Sequence, residues 1–398
     1  MKTALLFVCV VAAVSLQAKD FVPEAHTGAA IQKAIDAASA SGGGRVALER
    51  GAVYPSGTLY LRSRVELNVP EGTVILGGAS SSDYDDIDDP RMGSRPEKSA
   101  KAFIACLDGE DVAITGKGVI DGQGVKFYDV NSVLWGRFYA KPPHPRPRMI
   151  EFFGCRNVRF EDITFKDSPG WTCWIRKCEN VSIERVKVVG DQKMINNDGF
   201  HMDSCRHVRI RNCDIRTGDD SIIMRAIRTP NGEESVCEDM VVEDCSLNSA
   251  CQCIRLACPS DGTIRNGVFR NLKMRGNNGV VSGHPVRYLR KGERGSCKME
   301  NILVENCDID VEGKAIEFSV EPGVVLRDFG NVAFRKIRLK SKMPLMLNGT
   351  GETPLRNVTF EDVSGTIEAE KPIEMSSVEG IRFDRFDVSS GKGDGKPH

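Results

Sequence analysis

Val181-Ser182-Ile183-Glu184-Arg185-Val186-Lys187-Val188 and Val208-Arg209-Ile210-Arg211-Asn212-Cys213-Asp214-Ile215 share one pattern: apolar residues at positions one, three, six and eight. Asn180 precedes the first stretch and His207 the second. Two short alternating runs fit strands and not a helix, because successive side chains of a strand point to opposite faces. The pattern also appears earlier, at Val158, Phe160, Ile163 and Phe165. It returns at Met240, Val242, Cys245 and Leu247, and more weakly at Gly267, Phe269, Leu272 and Met274. Further copies start at Ile302, Val332, Val358 and Ile381. Successive copies begin 23, 27, 32, 27, 35, 30, 26 and 23 residues apart. Repeats of that length made of short strands predict a solenoid, each turn burying a face on the next. The expected fold is all-β: a right-handed parallel β-helix solenoid. A propeller would need blades of about 40 residues with four strands each.

A solenoid needs closed ends. Thr27 can cap a helix running to Ser41, whose Ile31, Ala34, Ile35 and Ala38 form one apolar stripe. Gly42-Gly43-Gly44 stops it, so an N-terminal capping helix is expected. Lys2, the apolar run Ala4–Val14 and the small residue Ala18 read as a cleaved leader over 1–18. The expected organisation is then a single β-helix domain over 19–390 and a flexible Gly/Lys-rich tail over 391–398. Export to a periplasm or beyond follows from the leader.

Composition narrows the partners. The 398 residues carry 54 Lys+Arg against 55 Asp+Glu, a net charge of −1, which argues against a nucleic-acid partner. A hydrophobic share of 40% supports a large core, and no later stretch is long and apolar enough for a membrane anchor. A capped solenoid of this kind is expected to be a monomer. Of 14 cysteines, Cys9 falls in the leader. Cys155, Cys178, Cys205 and Cys237 occupy one place in successive repeats, and Cys213, Cys245 and Cys307 another, so unbonded ladder packing is expected. No zinc-type spacing occurs, and neither metal nor cofactor is expected.

Between the copies lies a second short run per coil, including Thr172–Lys177, Gly199–Ser204, Ser221–Ala226, Gln252–Ala257 and Gly279–His284. Stacking them puts Phe200, Ile222, Ile254 and Val280 in one inward column and Met202, Met224 and Leu256 in another. The alternate columns point outward. One holds Trp174, His201, Ile223, Arg255 and Val281; the next holds Arg176, Asp203 and Arg225. The same register sets Asp198 beside Asp220, with Asp219 adjoining. Three carboxylates so close repel, and at least one should keep its proton. A protonated acid beside an ionised base is what glycosidic bond cleavage requires. Gly-Asp-Asp alone could be a backbone-bonded turn; Asn196-Asn197-Asp198-Gly199 one coil earlier makes that a poorer account.

At these residues the sequence resembles the polygalacturonase family, glycoside hydrolase family 28. Asn196-Asn197-Asp198 is similar to its Asn-Thr-Asp motif and Gly218-Asp219-Asp220 to its Gly-Asp-Asp motif. Gly118-Val119-Ile120-Asp121-Gly122-Gln123-Gly124 and Ser168-Pro169-Gly170-Trp171 resemble two further segments. The resemblance implies a right-handed β-helix that cleaves pectin-type polysaccharides with inversion. Asp219 would be the general acid, and Asp198 and Asp220 would hold and activate the water. It also marks departures: Ala250-Cys251-Gln252 stands where the family has Gly-His-Gly, and Val281-Ser282-Gly283 where it has a carboxylate-gripping Arg-Ile-Lys.

The candidate substrate contacts are therefore Asn196, His201, Arg225, Arg255, His284, Arg290, Lys291 and Trp174, with Arg287 nearby. A guanidinium fits a carboxylate bidentately, so an anionic polysaccharide or oligosaccharide is the expected substrate. Each basic residue could instead be a ladder charge, as in Arg176, Asp203 and Arg225. Trp174 and Trp135 could stack on sugars or simply pack; Trp135 lies in the long loop from Phe127 to Pro147. Two other functions remain open: a β-helix uronate lyase or epimerase, with the acids holding Ca²⁺, and a non-catalytic polysaccharide-binding homologue.

Overall fold

The structure, a computed structural model, describes residues 19–93 and 96–391. The expected leader and all of the expected tail except Gly391 lie outside them. Among the described residues, thirty-one strands hydrogen-bond, all in parallel, into one continuous network that winds as a β-helix. Its sense is the right-handed one taken by parallel crossovers. Helix Gly28–Ala40 covers the first coil, with Thr27 Oγ1 accepting from the Ala30 N–H at 3.3 Å and Ile31, Ala34, Ile35 and Ala38 buried. No helix among the described residues is long and apolar enough to cross a membrane.

The register is the one expected. Cys173, Phe200, Ile222, Ile254, Val280 and Ile316 lie side by side on successive coils. Ile175, Met202, Met224 and Leu256 form the neighbouring column. All of these are fully buried. Each large side chain so placed contributes about 1.5–3 kcal/mol relative to exposure. A one-residue slip would turn the whole set to the other face.

The polar residue before each repeat also has a physical reason. Asn157, Asn180, His207, Asp239, Asn266, Asn301, Asn331 and Asn357 all have φ between 53° and 57°. That left-handed conformation is one that Asn, Asp and His adopt more readily than branched residues. Their amides then bond along the stack, as from Asn180 Nδ2 to Asn157 Oδ1 at 3.1 Å and from Asn301 Nδ2 to Asn266 Oδ1 at 3.2 Å. The 13 described cysteines are free, and all but Cys251 are buried. Within the ladders the contacts are thiol to backbone, as from the Cys155 N–H to Cys178 Sγ at 3.3 Å.

Candidate active site

The acids sit where one sheet of the helix begins its rungs. The Gly199 N–H donates to Asp220 O at 2.8 Å and the Phe200 N–H to Ser221 O at 2.9 Å, which sets Asp198 level with Asp220. Gly199 is required at this rung, since a Cβ there would stand 2.2 Å from Ser221 O. The Asp219 N–H donates to Asn197 O at 3.3 Å, which joins the two acidic turns. Asn196 has a left-handed backbone, φ 59°, and its N–H donates to Asp219 Oδ2 at 3.2 Å. Arg146 Nη2 in turn donates to Asn196 Oδ1 at 2.9 Å. Asn196 thus positions the acid and is not a free substrate contact.

Asp220 is gripped from the next coil. Arg255 Nη1 donates to Asp220 Oδ2 at 2.8 Å, and the Gln252 N–H donates to Oδ1 at 3.2 Å. One ligand atom each from Asp219, Asp220 and Cys251 lies within 4.8 Å of the others. His201 Nε2 is 3.0 Å from Asp198 Oδ1, and the imidazole stacks on Trp171 with centroids 3.8 Å apart. Asp198 is 4% and Asp220 1% exposed, while Asp219 is half-buried. Asp219 is therefore the carboxyl that meets solvent.

Burial, and then the charges of Asp219 and Asp220, hold the Asp198 carboxyl well above the usual carboxylate range. Burial and Asp220 raise Asp219 to about 6, against the pull of Arg255 and Cys251. Burial, and then Arg225, Arg255 and Arg148, push the His201 imidazole well below its usual value, so it is neutral. Burial and the two neighbouring acids push the Cys251 thiol up, so it stays protonated. Asp198 Oδ2, Gln252 Oε1 and His201 Nδ1 are buried with no hydrogen-bond partner among the described residues. Such groups are uncommon in a finished core, and a catalytic role is one reason for them.

The outward columns keep the expected register but not the expected exposure. Trp174, His201, Ile223, Arg255 and Val281 follow one another as predicted. Trp174, however, is 1% exposed, packed with Ile87, Met92, Phe153 and Trp171 under the Arg148 guanidinium. It offers no face to a sugar. Arg225 is likewise no substrate contact: it is 3% exposed and lies with Arg176 against the fully buried Asp203. The physical reason for both corrections is a cover laid over this part of the sheet. Arg176 donates to Met92 O from one covering segment and to Ile227 O from another.

Beyond Asp220 the cover ends. A cavity of about 400 Å³ opens there, lined by Gln252, Arg255, Val281, His284, Tyr288 and Glu317 among others. His284 is buried at its edge, its Nε2 3.1 Å from Ser282 Oγ, and burial and Arg255 push it down to about 3. A neutral imidazole can meet a sugar through one donor and one acceptor, but it brings no positive charge to an anion. Arg290 Nη2 pairs with Asp261 Oδ2 at 2.6 Å, and Lys291 stands exposed on the same loop. On the opposite flank, strands Asp129–Leu134 and Phe138–Ala140 form a hairpin with Trp135 exposed at its tip, and Arg137 bonds Ala250 O beside Cys251.

The sequence reading did not anticipate the Arg255–Asp220 pair, the Trp171–His201 stack, the role of Asn196 or the contribution of Tyr288 and Glu317. The neighbouring columns signalled only the first. For a metal, Asp219, Asp220 and Cys251 offer two carboxylates and a protonated thiol. That differs from the six to eight oxygens Ca²⁺ takes.

Residues 71–238 match the family described as "Glycosyl hydrolases family 28". The chain is 28% identical over 177 residues to a probable polygalacturonase of Vitis vinifera, a match covering 43% of this chain and 35% of that protein. It is 23% identical over 386 residues to an endo-polygalacturonase of Pectobacterium parmentieri, covering 87% of this chain and 86% of that one. Its fold is similar to that of an exopolygalacturonase from Thermotoga maritima, with a TM-score of 0.67 at 20% identity over 90% of this chain and 88% of the other.

Proposed function

We propose that this divergent relative of glycosyl hydrolase family 28 is an exported, inverting glycoside hydrolase acting on a pectic or other uronic-acid-containing polysaccharide. The observation that carries the reading is the state of Asp219. It is half-buried at the cleft, raised to about 6, and lies between a neighbouring acid and a thiol. A carboxyl that keeps its proton up to about pH 6 is suited to general-acid work. Asp219 gives its proton to the leaving oxygen as the glycosidic C–O bond breaks. A water attacks the anomeric carbon from the other face and loses its proton to Asp220, whose carboxylate is paired with Arg255. Asp198 orients that water through Oδ2, which has no partner within the protein among the described residues.

The nearest oxygens of Asp219 and Asp220 are within 4.8 Å, closer than the roughly 6.5–9.5 Å between the acid and base of an inverting pair. The attacking water is accordingly assigned to the Asp198–Asp220 side and not to the gap between 219 and 220. Product analysis across pectic, alternating uronate–neutral-sugar and sulfated-uronate polymers tests the reading. New reducing ends from the wild type and none from Asp219→Asn are expected. Metal-dependent ultraviolet absorbance from an unsaturated uronate would indicate a lyase, and binding with no turnover would indicate a non-catalytic homologue.

A further inference from the structure

We propose that the sugar held in the cavity next to Asp220 is uncharged: a neutral pyranose, not a uronate. This rests on the hydrolase reading, because the cavity is a subsite only if Asp219 and Asp220 cut beside it. The cavity shares two walls with the acids, since Gln252 and Arg255 both bond Asp220 and both line it. Its volume, about 400 Å³, falls in the range of small-ligand sites.

The charges in the lining cancel. Arg255 and Arg287 share the lining with Glu317 and Glu321, and His284 is neutral. Arg255 is already committed to Asp220. Gly283 stands on the floor, and a Cβ built there would sit 3.6 Å from Glu317 Oε1 and 3.4 Å from Ser319 Oγ. A carboxylate laid against Gly283 would therefore confront the Glu317 carboxylate. Glu317 is held in place by Lys314 Nζ at 2.9 Å and by the Ser319 hydroxyl at 2.8 Å. Paired in this way, the Glu317 carboxylate accepts hydrogen bonds from sugar hydroxyls and offers a uronate carboxylate no donor, so it selects against the wrong ligand as well as for the right one.

The rest of the lining suits a pyranose. Gln252, Ser319 and Asn348 offer hydroxyl-scale donors and acceptors, and Gln252 Oε1 is without a partner among the described residues. Val281, Pro285, Val320 and Met346 give an apolar side for C–H faces. Tyr288, 41% exposed, presents a ring braced by Arg255 at 5.6 Å and Arg287 at 4.8 Å. Any uronate of the substrate is then held outside this cavity. The substrate is then a mixed polymer of acidic and neutral sugars.

Calorimetric titration of the full-length Asp219→Asn variant tests this with three probes: an oligogalacturonide, the same oligomer with its carboxyl groups reduced, and an alternating uronate–neutral-sugar oligomer. The alternating and reduced oligomers should bind at least about tenfold more tightly than the oligogalacturonide. Glu317→Gln should shrink that preference to about threefold or less by admitting the uronate. Equal affinities, tighter binding of the oligogalacturonide, or no binding of any probe would overturn the proposal. The preference is read without Glu317→Gln, so it stands even if that variant folds poorly. Turnover by the wild type is scored separately: selective binding without new reducing ends keeps the neutral subsite and removes the hydrolase.

Discussion

Two parts of one sheet, the coils up to that of Asp220 and those beyond, share register and parity but differ in what lies over them. Up to that coil, Trp174, Arg176, Asp203 and Arg225 point outward and are nonetheless buried beneath Met92 and Ile227 and their neighbours. After it, Arg255, Val281 and Glu317 continue the same outward face and line an open cavity. Residue type does not separate them, since each part holds arginine and an acid. Cover does: Arg225 and Arg255 are both paired to an acid, but only Arg255 also lines a cavity.

Substitutions on the two sides of the boundary should separate stability from binding. At the boundary itself, Asp219→Asn should lower kcat by about 10²–10⁴-fold, the usual worth of a positioned acid, with binding retained in a direct titration. On the covered side, Arg225→Ala leaves the buried Asp203 with Arg176 as its remaining cationic partner and should cost about 1–3 kcal/mol of stability. Thermal unfolding would show it as a lowered Tm, while KM of the remaining folded enzyme is unchanged; a raised KM with an unchanged Tm would move Arg225 to the open side. On the open side, Tyr288→Ala should do the reverse. KM should rise by about two- to tenfold, the scale of a single aromatic contact, and the Tm should hold.

The smallest expected effect is one of pH. The folded carboxyl of Asp219, at about 6, lies above its ordinary value of 3.8. The native state therefore holds this proton more tightly than the unfolded chain. Its contribution to stability is fully present below pH 3.8 and is lost as the pH rises through about 6. Asp219→Asn, which carries no charge to bury, should raise the Tm at pH 7–8 and leave it unchanged near pH 4. Wild-type activity should fall over the same rise through pH 6 as the acid loses its proton.

The side of the comparison a residue falls on could not be read from the sequence, although its column could. Trp174, His201, Ile223 and Arg255 were aligned by the period of two and by in-register stacking, both of which the apolar pattern fixes. The burial of Trp174 depends on Ile87 and Met92, which belong to a segment outside the repeat. No periodicity announces where such a segment folds back. The meeting of Asp198, Asp219 and Asp220 was legible because two acidic turns one coil apart must be neighbours. The Arg255–Asp220 pair was half legible: the columns adjoin, but the side-chain reach that joins them depends on rotamers. Asn196 was read as a ligand because its left-handed backbone, which turns its N–H toward Asp219, leaves no mark on spacing.

The most direct test of the central claim, that Asp219 protonates the leaving oxygen while water on the Asp198–Asp220 side attacks from the opposite face, is time-resolved proton NMR of the first product. The account predicts that the anomer released by the wild type is inverted relative to the bond cleaved, and that Asp219→Asn releases none. A first product with the anomeric configuration of the starting bond would contradict it, because the 219–220 pair would then have to act through a covalent intermediate.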